Sequence, residues 1–271
     1  MKFIEHIARG KLPFWAVFCS LGVLGHFGIG FLVSGAALAQ DRPPPPADTR
    51  AAPNKPGWSV DERSGCWVWR QYPQPEETVH WSGNCGAGGR AAGRGTLELR
   101  YGGKVTRYEG DLRDGKRHGR RVQSYASGNR YESDWRDDKR DGRGVFAWVS
   151  GARYEGAFQD DKQTGHGVQS YANGARREGE FRDGKLQGRG VETLRSGARY
   201  DGEWRDGRKH GRGVQTYANG MRYEGGWQNG LADGFGTLVE KGQKYSGNWT
   251  GGCFSGGGRR IAMGRPISEC R

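Results

Sequence analysis

A period of 23 residues constrains this chain more than anything else in it. A ring opens a block at Tyr108, Tyr131, Tyr154, Tyr200 and Tyr223; Arg177 stands in the vacant place, and Tyr245 follows 22 residues after Tyr223. Four residues beyond each lies Leu112, Trp135, Phe158, Phe181, Trp204, Trp227 or Trp249. Glycines keep the same step: Gly119 to Gly234, Gly144 to Gly236 with Arg121 in the first place, and Gly128 to Gly220. A degenerate earlier copy starts at Trp81, beside seven recognisable ones. Self-similarity at this period marks an array of small units, each packing on its neighbours.

Each unit has hairpin grammar. Tyr108, Gly110 and Leu112 alternate with Glu109 and Asp111, so at period two the large residues share a face with glycine between them. Asp114-Gly115 tolerates the positive φ of a tight turn, and the pair recurs as Asp183-Gly184, Asp206-Gly207 and Asn229-Gly230. A second strand, Val122 to Tyr125, closes at Ser127-Gly128. Val122 and Tyr125 fall on opposite faces by strict alternation, and a bulge or an edge twist is what could reconcile them. Glycine inside a strand costs roughly 0.5–1 kcal/mol against Ala. The expected reason for it is close approach, with Gly110 leaving room for rings of adjacent repeats. The pattern predicts an all-β fold with a repeat core of Tyr108, Leu112, Tyr131, Trp135, Tyr154, Phe158, Phe181, Tyr200, Trp204, Tyr223, Trp227, Tyr245 and Trp249. Fifty glycines and only 34% hydrophobic residues exclude one thick core; ten Trp concentrate the apolar material in large rings.

The N-terminus reads as an export signal over residues 1–39. Lys2, Arg9 and Lys11 precede an apolar stretch over 12–38, which ends in Ala37-Leu38-Ala39. Cleavage after Ala39, giving a periplasmic or secreted protein, is the favoured reading. A transmembrane helix over 12–38, anchoring the chain to the inner membrane, is the alternative. Residues 40–56 are proline-rich and read as a polyproline-like or disordered tether, residues 57–80 as a disulfide-tied cap, 81–250 as the array, and 251–271 as a C-terminal cap. Beyond the signal four cysteines remain, and in an oxidising compartment they imply disulfides. Of the three pairings, Cys66–Cys85 and Cys253–Cys270 are favoured, because each pair brackets one end of the array. The formal charge is +13, and +11 once the signal is removed, which suits acidic partners; an exported chain gives no reason to expect nucleic acid.

The pattern resembles the MORN repeat, approximately Y-x-G-x-W-x-x-G-x-x-x-G-x-G-x-x-x-Y-x-x-G. Tyr200, Gly202, Trp204, Gly207, Gly211, Gly213, Tyr217 and Gly220 match it. The segment from Trp67 to Cys85 is similar to the entry of bacterial exported MORN-repeat proteins. The resemblance implies an elongated, single-layer antiparallel meander, about 70 Å long for fifteen or so strands. It also implies a non-enzymatic scaffold that binds protein or lies near a membrane. Arg177, Arg121 and Asp137-Asp138 depart from the motif, and those repeats are expected to pack less tightly.

No nucleophile or phosphate-loop grammar appears, and G-x-G recurs with the repeat as a structural element. His118, His166 and His210 read as surface residues, and no cofactor or metal is expected. A basic row, Lys116, Arg117, Arg120, Arg121, Lys139, Arg140, Arg143, Lys185, Arg189, Arg208, Lys209 and Arg212, is expected along one edge of the sheet. It is either a solvated rim or a site for anionic phospholipid or acidic glycan. A one-layer sheet must also cover its ring-bearing face, by curling, by the cap, by a protein partner or by a second copy of itself.

Overall fold

Two-residue turns set the architecture. At Asp114-Gly115, Asp183-Gly184, Asp206-Gly207 and Asn229-Gly230 both residues have positive φ, as at Asp137-Asp138 and Asp160-Asp161. This geometry matches the twist of antiparallel strands. The computed structural model describes residues 56–270. The signal or anchor reading of 1–39, and the tether apart from Pro56, lie outside those residues. No described helix is long and apolar enough to cross a membrane.

Strands β1 (Gly57–Val60) and β2 (Trp67–Arg70) form a small sheet of their own. Then come β3 (Thr78–Trp81), β4 (Asn84–Cys85) and β5 (Ala91–Tyr101), with β3 and β4 paired to the same edge of β5. From there each strand pairs with the next: β6 (Lys104–Arg113), β7 (Lys116–Ser124), β8 (Arg130–Arg136), β9 (Lys139–Ala147), β10 (Arg153–Gln159), β11 (Lys162–Ser170), β12 (Arg176–Arg182) and β13 (Lys185–Thr193). The meander continues through β14 (Arg199–Arg205), β15 (Arg208–Thr216), β16 (Arg222–Gln228), β17 (Leu231–Glu240), β18 (Gln243–Thr250), β19 (Cys253–Gly256) and β20 (Arg259–Ala262). Among the described residues no ladder joins β20 to β3, so the sheet is open.

Tyrosines hold each hairpin together. Tyr154 lies over Gly156 and its cross-strand partner Gly167, where an added Cβ would stand 2.5 Å from the phenol oxygen at either position. Tyr200 covers Gly202 and Gly213 in the same way, and Tyr223 covers Gly225 and Gly236. The ring over each glycine pair thus belongs to the same repeat, not to an adjacent one as expected for Gly110. The Tyr154 hydroxyl donates to the Ala157 carbonyl at 3.2 Å, and that of Tyr200 to Glu203 at 3.0 Å. Each ring also meets two of the second row edge-on. Tyr200 lies 5.3 Å from Trp204 and 5.2 Å from Trp227; Tyr223 lies 5.3 Å from Trp227 and 5.1 Å from Trp249. The stack therefore couples one repeat to the next. Alternation also settles Val122 and Tyr125. Gln123 faces the rings in register with Tyr108 and Tyr131, Val122 lies on the other face opposite Glu109 and Glu132, and no bulge has to reconcile them.

The irregular copies are filled, which corrects the expectation of looser packing. Where Arg177 replaces the ring, the Leu186 side chain lies against Gly179 and Gly190, and Leu186 and Phe181 are buried. Where the turn glycine is missing, Asp138 accepts from both the backbone N–H and Nε of Arg117 at 2.8 Å. Asp161 holds Arg140 in the same way, at 3.0 and 2.9 Å. Arg121 reaches Asp111 at 2.8 Å.

Burial raises the pKa of Tyr108, Tyr131, Tyr154, Tyr200 and Tyr223 above the ordinary phenol value near 10, with Tyr154 and Tyr223 pushed up to about 12. Their raised folded pKa gives stability that is complete below pH about 10 and is lost as pH rises through the folded values. Alkaline titration is expected to show these phenols ionising together with loss of strand circular dichroism. Phenolate absorbance rising to completion near pH 10 with the fold intact contradicts the stack.

The ends are tied covalently. Cys66–Cys85 and Cys253–Cys270 are disulfides, with Cα atoms 5.3 and 5.4 Å apart. The second closes a loop over the last strands, so Cys253→Ala with Cys270→Ala is expected to cost about 3 kcal/mol there. Hydrogen exchange should show fraying confined to β18–β20. In the first cap, buried Asp61 accepts from Ser64 Oγ at 2.6 Å, from the Arg63 and Trp81 backbone N–H groups and from His80. Burial opposes its ionisation, yet these donors, Ser64 first, hold its carboxyl below the usual carboxylate range.

Candidate interaction surface

Period two divides the charged residues between two faces, so the expected single edge of cations does not form. Arg117, Arg140 and Lys209 lie on the ring face. The Arg117 guanidinium sits 4.1 Å from the Trp135 ring centre, that of Arg140 is 5.3 Å from Phe158, and Lys209 is 4.8 Å from Tyr200. All three are paired, with Asp138, Asp161 and Glu192 respectively. Burial works against the charge on Arg117, but Asp138 outweighs it and keeps the guanidinium pKa raised. Burial lowers the pKa of Lys209, with Glu192 opposing. The rows Leu112–Trp249 and Tyr108–Tyr223 are sealed by one another and by these side-chain stems, with Trp135 3% and Trp227 6% exposed. Tyr245, in the last copy, is only partly buried. The ring rows therefore do not form the exposed aromatic face that a second copy would have to cover.

What remains open on that face is a margin. Tyr125, Trp148, Tyr171, Leu194 and Tyr217 each begin the loop that follows a second strand, 23 residues apart. Alternation from Gln123 and Phe146 points the column toward the ring side. Tyr125 lies 5.8 Å from Phe146, Trp148 lies 4.5 Å from Phe146, and the Arg177 guanidinium is 5.7 Å from Tyr171. Tyr171 is 36% exposed and Leu194 40%. Near the cap the margin opens into a groove of about 430 Å³ lined by Tyr72, Tyr101, Tyr125, Trp135, Phe146 and Arg140 among others. Tyr72, on the segment after β2, is 68% exposed.

The other face carries Lys116, Arg120, Lys139, Arg143, Lys185, Arg189, Arg208 and Arg212. Toward the N-terminal end the turn carboxylates pair with cations of the preceding repeat: Arg113 with Asp137, Lys139 with Asp160 at 2.9 Å, and Lys162 with Asp183 at 2.7 Å. Lys116 lies 5.6 Å from the Trp69 ring centre. Across β12–β15 the ladder lapses. Gln187 takes the cation's place on Asp206, and the charged groups of Arg182, Lys185, Arg189, Arg205, Arg208 and Arg212 make no ion pair within 4.0 Å among the described residues; Arg212 meets Glu203 through its backbone N–H alone. Arg182 faces Lys185, and Arg205 faces Arg208, directly across their turns. Like charges so placed repel.

His118, His166 and His210 do not converge, and no described group of three or more His, Cys, Asp or Glu is placed to hold a metal. The Gln123, Phe146, Gln169, Glu192, Gln215 and Leu238 column, in register with the tyrosines, is a structural row that period reading alone passed over. Its signal is the residue after each Val122-type position.

The MORN-repeat family model matches residues 108–130, 131–153, 154–176, 178–199, 200–222 and 223–239. The chain belongs to the MORN-repeat family. Its fourth matched unit begins just after Arg177, where the repeat ring is lost. The MORN repeat is a non-catalytic module associated with protein and membrane binding. No curated protein matches the chain. Among solved structures, one similar chain is the TCP domain of SAS-4 (dCPAP) of Drosophila melanogaster, in complex with a proline-rich motif of Ana2 (dSTIL). The identity is 11%, the TM-score 0.35, and the match covers 63% of this chain and 90% of that one.

Proposed function

We propose that this chain is an exported, non-enzymatic scaffold that holds a protein partner against the aromatic margin of its ring face. The observation that carries this reading is the Tyr125–Trp148–Tyr171–Leu194–Tyr217 column, half-open beside rows that are otherwise sealed. Tyr and Trp supply rigid contact area at low entropic cost, and such anchors dominate interface energetics. Export is supported by the two disulfides, which persist in oxidising compartments. An affinity pull-down from the envelope fraction tests the reading, with the mature N-terminus sequenced in the same preparation. The expected result is a partner lost on Trp148→Ala with Tyr171→Ala, and an N-terminus at Gln40. Retention of every captured protein by that variant contradicts the surface; an intact N-terminus contradicts cleavage.

A second reading rests on the unpaired cations of β12–β15, which suit an anionic phospholipid surface or an acidic glycan. It predicts binding to acidic vesicles or acidic polysaccharide at low salt that weakens steeply toward physiological ionic strength. Arg205→Gln with Arg208→Gln should reduce it at least fivefold. Binding that ignores salt, or none at low salt, overturns this reading.

A further inference from the structure

The spacing of the aromatic margin selects among the backbone shapes that could lie along it. One repeat advances two strands, about 9.6 Å, between successive side chains of the column. A polyproline II helix repeats every three residues, about 9.3 Å. An extended strand presents the same face every two residues, about 6.6 Å. An α-helix meets the spacing best at seven residues, about 10.5 Å. Across three rungs the polyproline helix falls out of step by about 0.6 Å. The α-helix does so by about 1.8 Å, enough to carry its third side chain off the ring it should meet.

The chemistry of the margin agrees. Polyproline II has no internal hydrogen bonds, so its carbonyls seek donors, and aromatic-lined grooves are its usual receptors. The Trp148 indole N–H and the Tyr125 and Tyr171 hydroxyls have no hydrogen-bond partner among the described residues. The ion pairs beside them are already satisfied, so they leave a neutral seat.

We infer that the margin at Tyr125, Trp148 and Tyr171 is a receptor for a polyproline II segment, and that its occupant is the Pro43–Pro46 run of the same chain. This rests on the reading of the margin as the contact surface. Pro43 and Pro46 are three residues apart, one turn of polyproline II, and so sit on successive rungs. The reach is sufficient. The described chain begins at Pro56, beside the β1–β2 cap, where Trp58 and Trp69 pack against the Gly115 turn. The margin is one strand length away: β7 has nine residues, about 30 Å. From Pro46 to Gly57 a polyproline-like chain spans about 34 Å. The scaffold then carries its own competitor, and a partner must displace it.

The test uses a labelled synthetic peptide of residues 41–56 and two forms of the full chain, followed by fluorescence polarisation. One form is unaltered; the other carries Pro43→Ala, Pro44→Ala, Pro45→Ala and Pro46→Ala. The altered chain should bind the peptide at least tenfold more tightly, because its own segment no longer fills the seat. Adding Trp148→Ala to it should reverse that gain at least tenfold. Exposed Tyr171→Ala serves as a second probe if Trp148→Ala loses strand circular dichroism. Equal binding by the two forms, no binding by either, or binding indifferent to both ring substitutions overturns the inference. So does a light-scattering mass that falls from dimer to monomer in the four-alanine form, since the segment then comes from another copy. No outside partner enters the assay, so its outcome is separate from that of the pull-down.

Discussion

Replacing Tyr200 by alanine is expected to cost about 3–5 kcal/mol and to split the unfolding of the array into two transitions. The ring is 1% exposed and wedged edge-on between Trp204 and Trp227. It also roofs Gly202 and Gly213, which have no side chains to close the gap. Its hydroxyl covers the Glu203 carbonyl at 3.0 Å. Collapse is therefore limited, and the cavity term adds to the lost transfer energy. In a one-dimensional array each unit touches only its neighbours, so weakening one stack uncouples the repeats on either side. Denaturant unfolding followed by tryptophan fluorescence and by strand dichroism should cease to coincide. A single coincident transition with a loss below about 1 kcal/mol would contradict the proposed stack.

Asp138→Gly is the second large effect. The new residue suits the turn, since Asp138 has φ of 72° and glycine adopts it freely. Judged by turn chemistry alone, the change should stabilise. The pair geometry reverses the sign. The Arg117 side chain is 12% exposed and Asp138 4%, so removing the carboxylate strands a buried cation, at a cost of about 3–5 kcal/mol. Adding Arg117→Leu removes the stranded charge and reproduces what the molecule does elsewhere, where Leu186 faces the turn of Gly207. The double variant is expected within about 1 kcal/mol of the unaltered chain, or above it. Asp161→Gly should cost less, because Arg140 and Asp161 are 22% and 36% exposed. Chemical denaturation of the three variants beside the unaltered chain checks this; an Asp138→Gly chain as stable as the original contradicts the clamp.

The same pair shows what sequence reading reaches and where it stops. Turn pairs such as Asp183-Gly184 act through two adjacent residues and are visible at once. The ring and glycine spacing was equally plain, because period two fixes which residues share a face. The assignment of ring to glycine was not, since Tyr200 lying on Gly213 requires knowing the register of β14 on β15. Arg117 and Asp138 are 21 residues apart and meet only when successive turns stack. The signal was present within the chain. The position of Arg117 holds Arg in the two repeats where the following turn ends in Asp138 or Asp161, and Gln163, Leu186, Lys209 or Ala232 where it ends in glycine. Leu186, which fills the place of a tyrosine ring, is likewise nine residues from Arg177; it pairs with Phe181 and reaches Gly179 only across a turn. The basic row failed as a single edge because alternation sends Lys116 and Arg117 to opposite faces. Its charge was readable, but its neutralisation depended on pairs between repeats.

Tyrosine–tryptophan stacking joins the repeats one to the next and leaves the loop-side margin outside the sealed rows. Hydrogen exchange resolved by peptide, on the unaltered chain and on Tyr200→Ala, measures that coupling. Strands β13–β16 are expected to lose protection, while the hairpins of β8–β11 and the tied strands at Cys253–Cys270 keep theirs. An even loss of protection from β5 to β20 would show a single cooperative core and contradict it.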